Sequence, residues 1–345
     1  MQGYGIMAST YIEKINVYIP KDLDDRIRDD ALRFEILKPD GIQINRNRFL
    51  CLVIGGYYSG FSDERRKKFA QIKKALMPFL SGSELNEAAE NVLGKTMYQT
   101  AGKKKGLTSV RFSFKPSKEI EDIVKVIRET EESGISSCLV RMLIGYFEKP
   151  SHEREKILFR EEFDALSSAC AETHPVTFLL RTTGNVHQVL PYTVVPGKNE
   201  NYNYLLCQEI MDQNGVKTAM AMSYRLTRIS NVRPCDSPAA FRKAVLLHLE
   251  KMREKGPQYA INRDEAVKVK MTEKGIDLYR RIYLDRPLFD DKTIPADGIY
   301  TFSCSEEQAF FYFRKFPGDT AVIISPDSLR QRMLDFHEKA ARALK

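Results

Sequence analysis

The chain has 345 residues, of which 43% are hydrophobic and 29% charged, a composition typical of folded domains and not of disordered chains. Its longest unbroken apolar run covers only residues 49–54, far too few to cross a membrane. The 54 Lys and Arg residues exceed the 46 Asp and Glu residues, giving a net charge of +8. This excess favours a polyanionic partner such as nucleic acid, although it also suits a solvated surface.

The spacing of the reactive residues indicates no catalytic or metal site. The six cysteines form no CxxC pair, and the five histidines have no metal-ligand spacing. A phosphate-binding loop, a dinucleotide-binding glycine motif and a nucleophile elbow are all absent from the sequence. We therefore expect a non-catalytic protein without a cofactor. Unpaired thiols and an N-terminus unlike a secretory signal predict a cytoplasmic location.

The first recognisable unit is a strand followed by two helices. Residues 14–19 alternate polar and apolar side chains, which predicts a strand with one buried face. Pro20 ends it, and apolar residues recur at helical spacing over residues 21–37. After a turn at Pro39, either Asn45 or Asn47 can cap a second helix.

The same order of elements returns near residue 110. Residues 110–115 alternate, Pro116 and Ser117 open a helix, and Ser136 or Ser137 can cap the next one. A lone six-residue strand leaves its backbone groups unpaired, so we expect the two strands to pair antiparallel above four helices. This arrangement resembles the ribbon-helix-helix fold, which is normally a dimer of two chains.

In that pairing, one face of the ribbon carries polar side chains from both strands. Cations bind phosphate, amides and hydroxyls bind base edges, and an aromatic ring stacks on an unpaired base. An ordinary solvent-exposed face is the alternative. The sequence thus predicts a nucleic-acid site made of Lys14, Asn16, Tyr18, Arg111, Ser113 and Lys115.

Two helices and a loop are predicted between the repeats. Residues 63–79 indicate a basic helix and residues 83–93 an acidic one. The following residues, 94–109, indicate a basic loop in which Lys103, Lys104 and Lys105 are candidates for phosphate contact. A solvated loop is the simpler interpretation.

A predicted helix over residues 151–170 leads into a β-rich segment. Residues 175–233 contain about five apolar runs separated by turn residues, among them Asn214-Gly215, a strong hairpin signal. Several short strands joined by tight turns predict a small barrel.

This segment resembles the WYL domain family. The resemblance depends on VLPYTVVPG at 189–197, on Asn203-Tyr204-Leu205 and on YRLTRIS at 224–230, with Asn203 where the family usually has Trp. It implies an Sm-like barrel that senses ligands or binds nucleic acid. Two arginines three apart on one strand face opposite sides, so only one is expected to share a groove with the tyrosine. The candidate contacts are Tyr204, Arg225, Arg228, His187 and Gln188, and structural ion pairing is the alternative for the arginines.

The remaining sequence resembles the C-terminal extension of WYL proteins. A helix over residues 238–256 precedes a predicted β-α-β-β-α-β order with a final helix, a ferredoxin-like arrangement that includes a strand around 287–294. The resemblance implies dimerisation or regulation. One segment holds more aromatic side chains than a single helix face needs, which predicts a homodimer through Phe310, Phe311, Tyr312, Phe313 and Phe316.

Together these features predict an α+β chain of three domains: residues 1–150, 151–236 and 237–345. The combination resembles the WYL-domain accessory proteins of type VI-D CRISPR systems. That resemblance implies a protein that binds single-stranded RNA and stimulates target-RNA cleavage by the RNA-guided effector RNase. A DNA-binding transcriptional regulator and a nucleotide or small-ligand sensor are the two alternatives.

Overall fold

The computed structural model describes residues 14–97, 109–131, 134–198, 201–213, 216–236, 240–257, 266–283, 286–289, 295, 297–302 and 304–344. The chain divides into two compact units, with the boundary between Arg160 and Glu161. Helices and three antiparallel sheets occur together, so the predicted α+β class is confirmed. The three-domain division remains a prediction, and Lys103, Lys104 and Lys105 lie outside the described residues.

The first unit contains the predicted repeat of one strand and two helices. Each strand leads directly, or through a short 3-10 turn, into a helix, and a second helix follows. The elements are β1 (Ile15–Pro20), α1 (Lys21–Arg33), α2 (Arg46–Leu76), α3 (Gly82–Thr96), β2 (Ser109–Phe114), α4 (Glu121–Thr130), α5 (Gly134–Glu148) and α6 (Ser151–Leu158).

No helix in the described part of the chain is both long and apolar enough to span a bilayer.

β1 and β2 form an antiparallel two-stranded ribbon. Val17 lies opposite Phe112, and Ile15 lies opposite Phe114. Burial alternates along β1, where every second side chain enters the core beneath the ribbon. The period of two in the sequence therefore predicted both the strands and the face that each one buries.

α2 differs from the prediction, because the expected second helix and the expected basic helix are one helix of 31 residues. Its cap is Asn45, whose side chain accepts the Arg48 N–H at 3.0 Å. The glycines inside it do not end it. A Cβ at Gly56 would lie 2.0 Å from the carbonyl oxygen of Ile157, so glycine here permits close approach of α6.

Two further helix boundaries also differ from the prediction. The helix expected over residues 151–170 is divided at Phe159, whose ring is buried and whose backbone leaves the helical region, and α7 (Arg160–Glu172) follows. α5 begins at Gly134, so neither serine caps it. Ser136 instead accepts the backbone N–H of Tyr18 at 3.4 Å.

The second unit contains a five-stranded antiparallel sheet. The strand order is β6-β5-β4-β3-β7, so two strands that are consecutive in sequence lie at opposite edges. The strands are β3 (Val176–Leu180), β4 (Val186–Pro196), β5 (Asn203–Gln213), β6 (Val216–Arg225) and β7 (Ile229–Pro234).

The connection between the two edge strands shows that this sheet is strongly curved. Only the 3-10 turn Leu226–Arg228 joins β6 to β7. Four strand spacings in a flat sheet would separate the two edges by about 19 Å. The four residue steps from Arg225 to Ile229 reach at most about 14 Å. The sheet must therefore bend its two edges toward each other, as a small barrel does.

A helix covers one side of β5 and β6. α8 (Lys243–Lys255) buries Val245, Leu249 and Met252 against Leu206 and two small side chains of β6. The amide of Gln208 fixes the approach to this helix, since it donates to the Ala240 carbonyl at 3.0 Å and accepts the Arg242 N–H at 2.8 Å. The expected helix after the β-rich segment is thus present.

The C-terminal residues form a three-stranded antiparallel sheet with helices after each strand. Its strand order is β10-β8-β9, and an isolated bridge places Phe289 beside Phe302 on the free side of β9. That is where the strand predicted around 287–294 belongs, although residues 290–294 lie outside the described part. The elements are β8 (Val267–Met271), α9 (Glu273–Arg281), β9 (Ile299–Phe302), α10 (Glu306–Phe313), β10 (Ala321–Ser325) and α11 (Asp327–Ala343).

The aromatic segment chosen as a dimer contact belongs mainly to the core of this sheet and its helices. Tyr312 and Phe313 are fully buried, and Phe310 and Phe316 are nearly so. Only Phe311 remains exposed, with the Arg314 guanidinium 4.3 Å from its ring centre. The prediction that this segment has more aromatic side chains than the core can bury is therefore wrong. The argument for a homodimer through this segment loses its basis.

Candidate nucleic-acid interface

All six ribbon residues predicted from the sequence lie on one exposed face. Asn16 lies opposite Ser113 and Tyr18 opposite Arg111, so the four side chains form two cross-strand pairs. Lys14 precedes β1 and Lys115 follows β2, and both are exposed. Tyr18 is 52% exposed, which leaves an aromatic surface open to solvent.

The ribbon face is positively charged and ordered by local hydrogen bonds. The Arg111 Nε donates to the Asn16 Oδ1 at 3.4 Å. Asn47 holds the end of β2, because its amide accepts the Lys115 N–H at 2.8 Å and donates to the Lys115 carbonyl at 2.9 Å. Among the described residues, no carboxylate lies within ion-pair distance of Lys14, Arg111 or Lys115. Three cations on this face are thus available to an anionic ligand.

The curved sheet brings together one of the two predicted arginines and Tyr204. Arg225 is the direct cross-strand partner of Tyr204, so both side chains leave the same face of the sheet. Its guanidinium carbon lies 3.3 Å from the ring centre of Tyr202, a cation–π contact. All three side chains are partly exposed. The guanidinium therefore stacks on Tyr202 and lies beside Tyr204, at the start of β5 and the end of β6.

Arg228 is placed differently from the prediction. β6 ends at Arg225, and Arg228 lies in the 3-10 turn before β7, so the two arginines do not share a strand. The turn is held in place by the Arg181 N–H, which donates to the Arg228 carbonyl at 2.8 Å. Counting strand alternation across residues 225–228 was therefore wrong, because the chain turns between them.

His187 belongs to a polar cluster inside the curved sheet. Its Nδ1 lies 2.7 Å from a Glu209 carboxylate oxygen and 3.1 Å from the Tyr224 hydroxyl, which also donates to Glu209. The imidazole stacks on Phe178 at 5.6 Å. Burial and the Glu209 carboxylate raise the pKa of Tyr224 well above its usual value, which keeps the hydroxyl protonated as a donor.

This cluster lies on the opposite face of the sheet from Tyr204 and Arg225. Tyr224 pairs with Leu205 across the strands, and both are buried, whereas their neighbours Arg225 and Tyr204 point the other way. The structure therefore does not bring His187 into the same site as Tyr204. Gln188, one residue further along β4, is exposed.

Two contributors were missed from the sequence. Tyr202 precedes β5 and stacks with Arg225. It lies one residue before the Asn203-Tyr204-Leu205 motif, so the motif does not include it. Asn47 was considered only as a helix cap. Its bonds to the Lys115 backbone follow from a contact between residues 68 positions apart, which no local pattern records. No group of three potential metal ligands occurs within the described ranges.

Comparisons with known proteins add a likeness in fold. No protein-family model and no curated protein matches the chain. The chain is similar to the crystal structure of a CRISPR Cas-related protein, with a TM-score of 0.70 and 17% identity over 96% of this chain and 94% of that one. The proteasome accessory factor B/C of Arthrobacter aurescens gives a TM-score of only 0.25 at 11% identity, covering 94% of this chain and 49% of that one. The first match shows that this chain shares its fold, over nearly its whole length, with a CRISPR Cas-related protein.

Proposed function

We propose that the chain is a non-catalytic accessory protein of a type VI-D CRISPR system, which binds single-stranded RNA and stimulates target-RNA cleavage by the effector RNase. The observation that carries RNA binding is the ribbon face, where three cations and an exposed tyrosine lie beside amide and hydroxyl groups. The CRISPR context is supported by the shared fold with a CRISPR Cas-related protein. The choice of single-stranded RNA as ligand and of the effector RNase as partner comes from the family resemblances in the sequence.

The domain interpretation is part of the same proposal. The paired strands with two helices each are a tandem ribbon-helix-helix unit within one chain. The curved sheet is a WYL domain with an Sm-like barrel, and the C-terminal sheet is a ferredoxin-like extension. The order β10-β8-β9 with Phe289 beside β9 supports the last assignment, since it has the strand neighbours of a ferredoxin-like sheet.

A preference for single strands follows from the side chains of the ribbon. Tyr18 is 52% exposed, so its ring offers a stacking surface that an unpaired base can use. Arg111 lies directly across from that ring, where a guanidinium can bind the adjoining phosphate. A base within a duplex already stacks on its neighbours and gains less from the ring.

The second candidate is sequence-specific binding of duplex DNA. A two-stranded ribbon has the dimensions to enter the major groove, and Asn16 and Ser113 are able to bind base edges there. The two strands carry different residues on the exposed face, however. One ribbon therefore does not match a palindromic site, and this favours the RNA proposal.

A binding comparison at controlled salt separates the two candidates. We expect single-stranded RNA to bind more tightly than single-stranded DNA or duplex DNA, with an affinity that falls as salt rises. Fluorescence anisotropy with labelled strands of one sequence measures all three. Tighter binding to a defined duplex would favour the transcriptional regulator. Added protein should also accelerate target cleavage by the effector RNase, and no acceleration would contradict the accessory role.

The barrel site has its own expected result. Tyr204→Ala removes a stacking surface, so RNA affinity should fall about tenfold with little change in salt slope. Arg225→Ala should lower affinity and also reduce the slope by about 0.7, because one phosphate contact is lost. Arg225→Lys keeps the charge but loses the planar stack, so it should retain the slope and recover only part of the affinity.

The matched control for these variants is Arg233→Ala, an exposed arginine of β7. It removes the same charge and should leave affinity within twofold of wild type. Thermal melts by circular dichroism check that each variant is folded. Normal RNA affinity in folded Tyr204→Ala and Arg225→Ala variants would exclude the barrel and leave the ribbon as the RNA site.

A further inference from the structure

The second half of α2 carries a row of lysines that the ribbon and the barrel do not account for. Lys67, Gln71 and Lys74 are spaced by four and three residues, so they follow one face of the helix, and Lys68 lies beside them. All four side chains are exposed. Together they are named here the α2 stripe.

The α2 stripe has few carboxylates to neutralise it. Among the described residues, none lies within ion-pair distance of Lys67, Lys68 or Lys74. Lys67, Lys68 and Gln71 line an open groove of about 340 Å³ that Glu64 and Glu148 also line. Glu64 is already paired with Lys149 at 2.8 Å. With Lys149 counted, three lysines face two glutamates around the groove, and the exposed Lys74 adds a further positive charge.

An exposed aromatic side chain lies just beyond the helix. Phe79 follows the last turn of α2, where its N–H donates to the Leu76 carbonyl at 2.9 Å, and its side chain is 82% exposed. Lysines that follow a phosphate backbone, combined with a ring on which a base can stack, are the two components of sites for single-stranded nucleic acid. This combination favours RNA over an acidic protein surface.

We propose that the α2 stripe and Phe79 form a second contact for the same single-stranded RNA that the ribbon binds. This inference rests on the proposed function. The distance between the two sites can be read along α2. Asn47 of this helix is hydrogen-bonded to Lys115 at the end of the ribbon, and Lys67 lies twenty residues later, a rise of about 30 Å along the helix. A short RNA occupies one site, and a longer strand reaches both.

RNA length provides the test. We expect Lys67→Ala/Lys74→Ala to bind an RNA of about 20 nucleotides about tenfold more weakly than wild type, with the salt slope reduced by about 1.4 for two lost phosphate contacts. Affinity for an RNA of about 5 nucleotides should stay within twofold, because the ribbon remains intact. Phe79→Ala should weaken only the longer RNA, about fivefold, without changing the slope.

The control variant is Lys274→Ala/Lys339→Ala, which removes two exposed helix lysines of the C-terminal region and changes the net charge equally. It should bind both RNAs like wild type. If wild type binds neither RNA, the proposed function and this inference both fail. If wild type binds both, and the α2 variant matches it on the longer RNA, only the second contact is wrong. Unchanged RNA affinity with lost stimulation of the effector would assign the α2 stripe to a protein partner instead.

Discussion

Replacing Lys14, Arg111 and Lys115 together with alanine should lower the affinity for single-stranded RNA about 100-fold at low salt. Each cation is exposed on the ribbon face, and none has a carboxylate partner among the described residues. If each bond to a phosphate contributes about 0.9 kcal/mol, the three lost bonds sum to about 2.7 kcal/mol, which is a factor of about 100. The salt slope should fall by about 2, or 0.7 for each phosphate contact. Anisotropy titrations over a range of salt concentrations measure both quantities.

A variant of equal charge separates local contact from overall attraction. Lys251→Ala/Lys274→Ala/Lys339→Ala removes three exposed lysines of the second unit, so the net charge falls by the same amount. We expect this control to lose less than threefold in affinity. An equal loss in both variants would show that only the total charge matters. Wild-type affinity in the ribbon variant would exclude the ribbon and leave the curved sheet around Tyr204 and the α2 stripe as candidate RNA sites.

The ribbon was predictable because one local pattern decides it. Strict alternation in residues 14–19 and 110–115 specifies which side chains are buried, and two isolated strands require each other as partners. Burial of Val17 and exposure of Tyr18 follow from that alone. The six exposed residues of the candidate site were therefore correctly placed on one face.

Features that depend on distant contacts were less predictable. Glycine commonly marks the end of a helix, yet Gly56 lies inside the continuous α2. Only the structure shows the reason, which is that the Ile157 carbonyl approaches too closely for a Cβ. Likewise, the aromatic residues near Phe313 outnumber the positions on one helix face. A sheet on one side and α11 on another use most of them. Periodicity reports one face of an element and not the number of neighbours around it.

The Arg225–Arg228 segment shows the same limit at a candidate site. Sequence alternation holds only while the chain stays extended, and the turn at Leu226 interrupts it. The strand pairing then selects Arg225 as the partner of Tyr204, which spacing alone did not decide. Tyr202 joins them because β5 begins one residue later, at Asn203.

Among single substitutions, we expect the largest loss of folding stability from replacing Asp30 of α1. Asp30 is 3% exposed, and its carboxylate accepts two hydrogen bonds from Arg154, with Nε–Oδ2 at 2.7 Å and Nη2–Oδ1 at 3.0 Å. The fully buried Tyr146 hydroxyl donates to the same Oδ2 at 3.0 Å. Burial and the adjacent carboxylate raise the pKa of Tyr146 well above its usual value, so the hydroxyl remains a donor.

Asp30→Asn should therefore lower the free energy of unfolding of the first unit by about 3 kcal/mol. The amide removes the negative charge and one acceptor, which leaves the Arg154 guanidinium, only 14% exposed, without its counter-ion. Because the chain has no tryptophan, urea unfolding is best followed by circular dichroism, with hydrogen exchange of the α1 and α5 amides locating the loss. Asp29→Asn, an exposed change on the same helix, is the control and should alter stability by less than about 0.5 kcal/mol. Equal urea midpoints for the two variants would contradict this prediction. They would mean that the attraction between Asp30 and Arg154 only offsets the cost of desolvating them, as it does in some buried ion pairs.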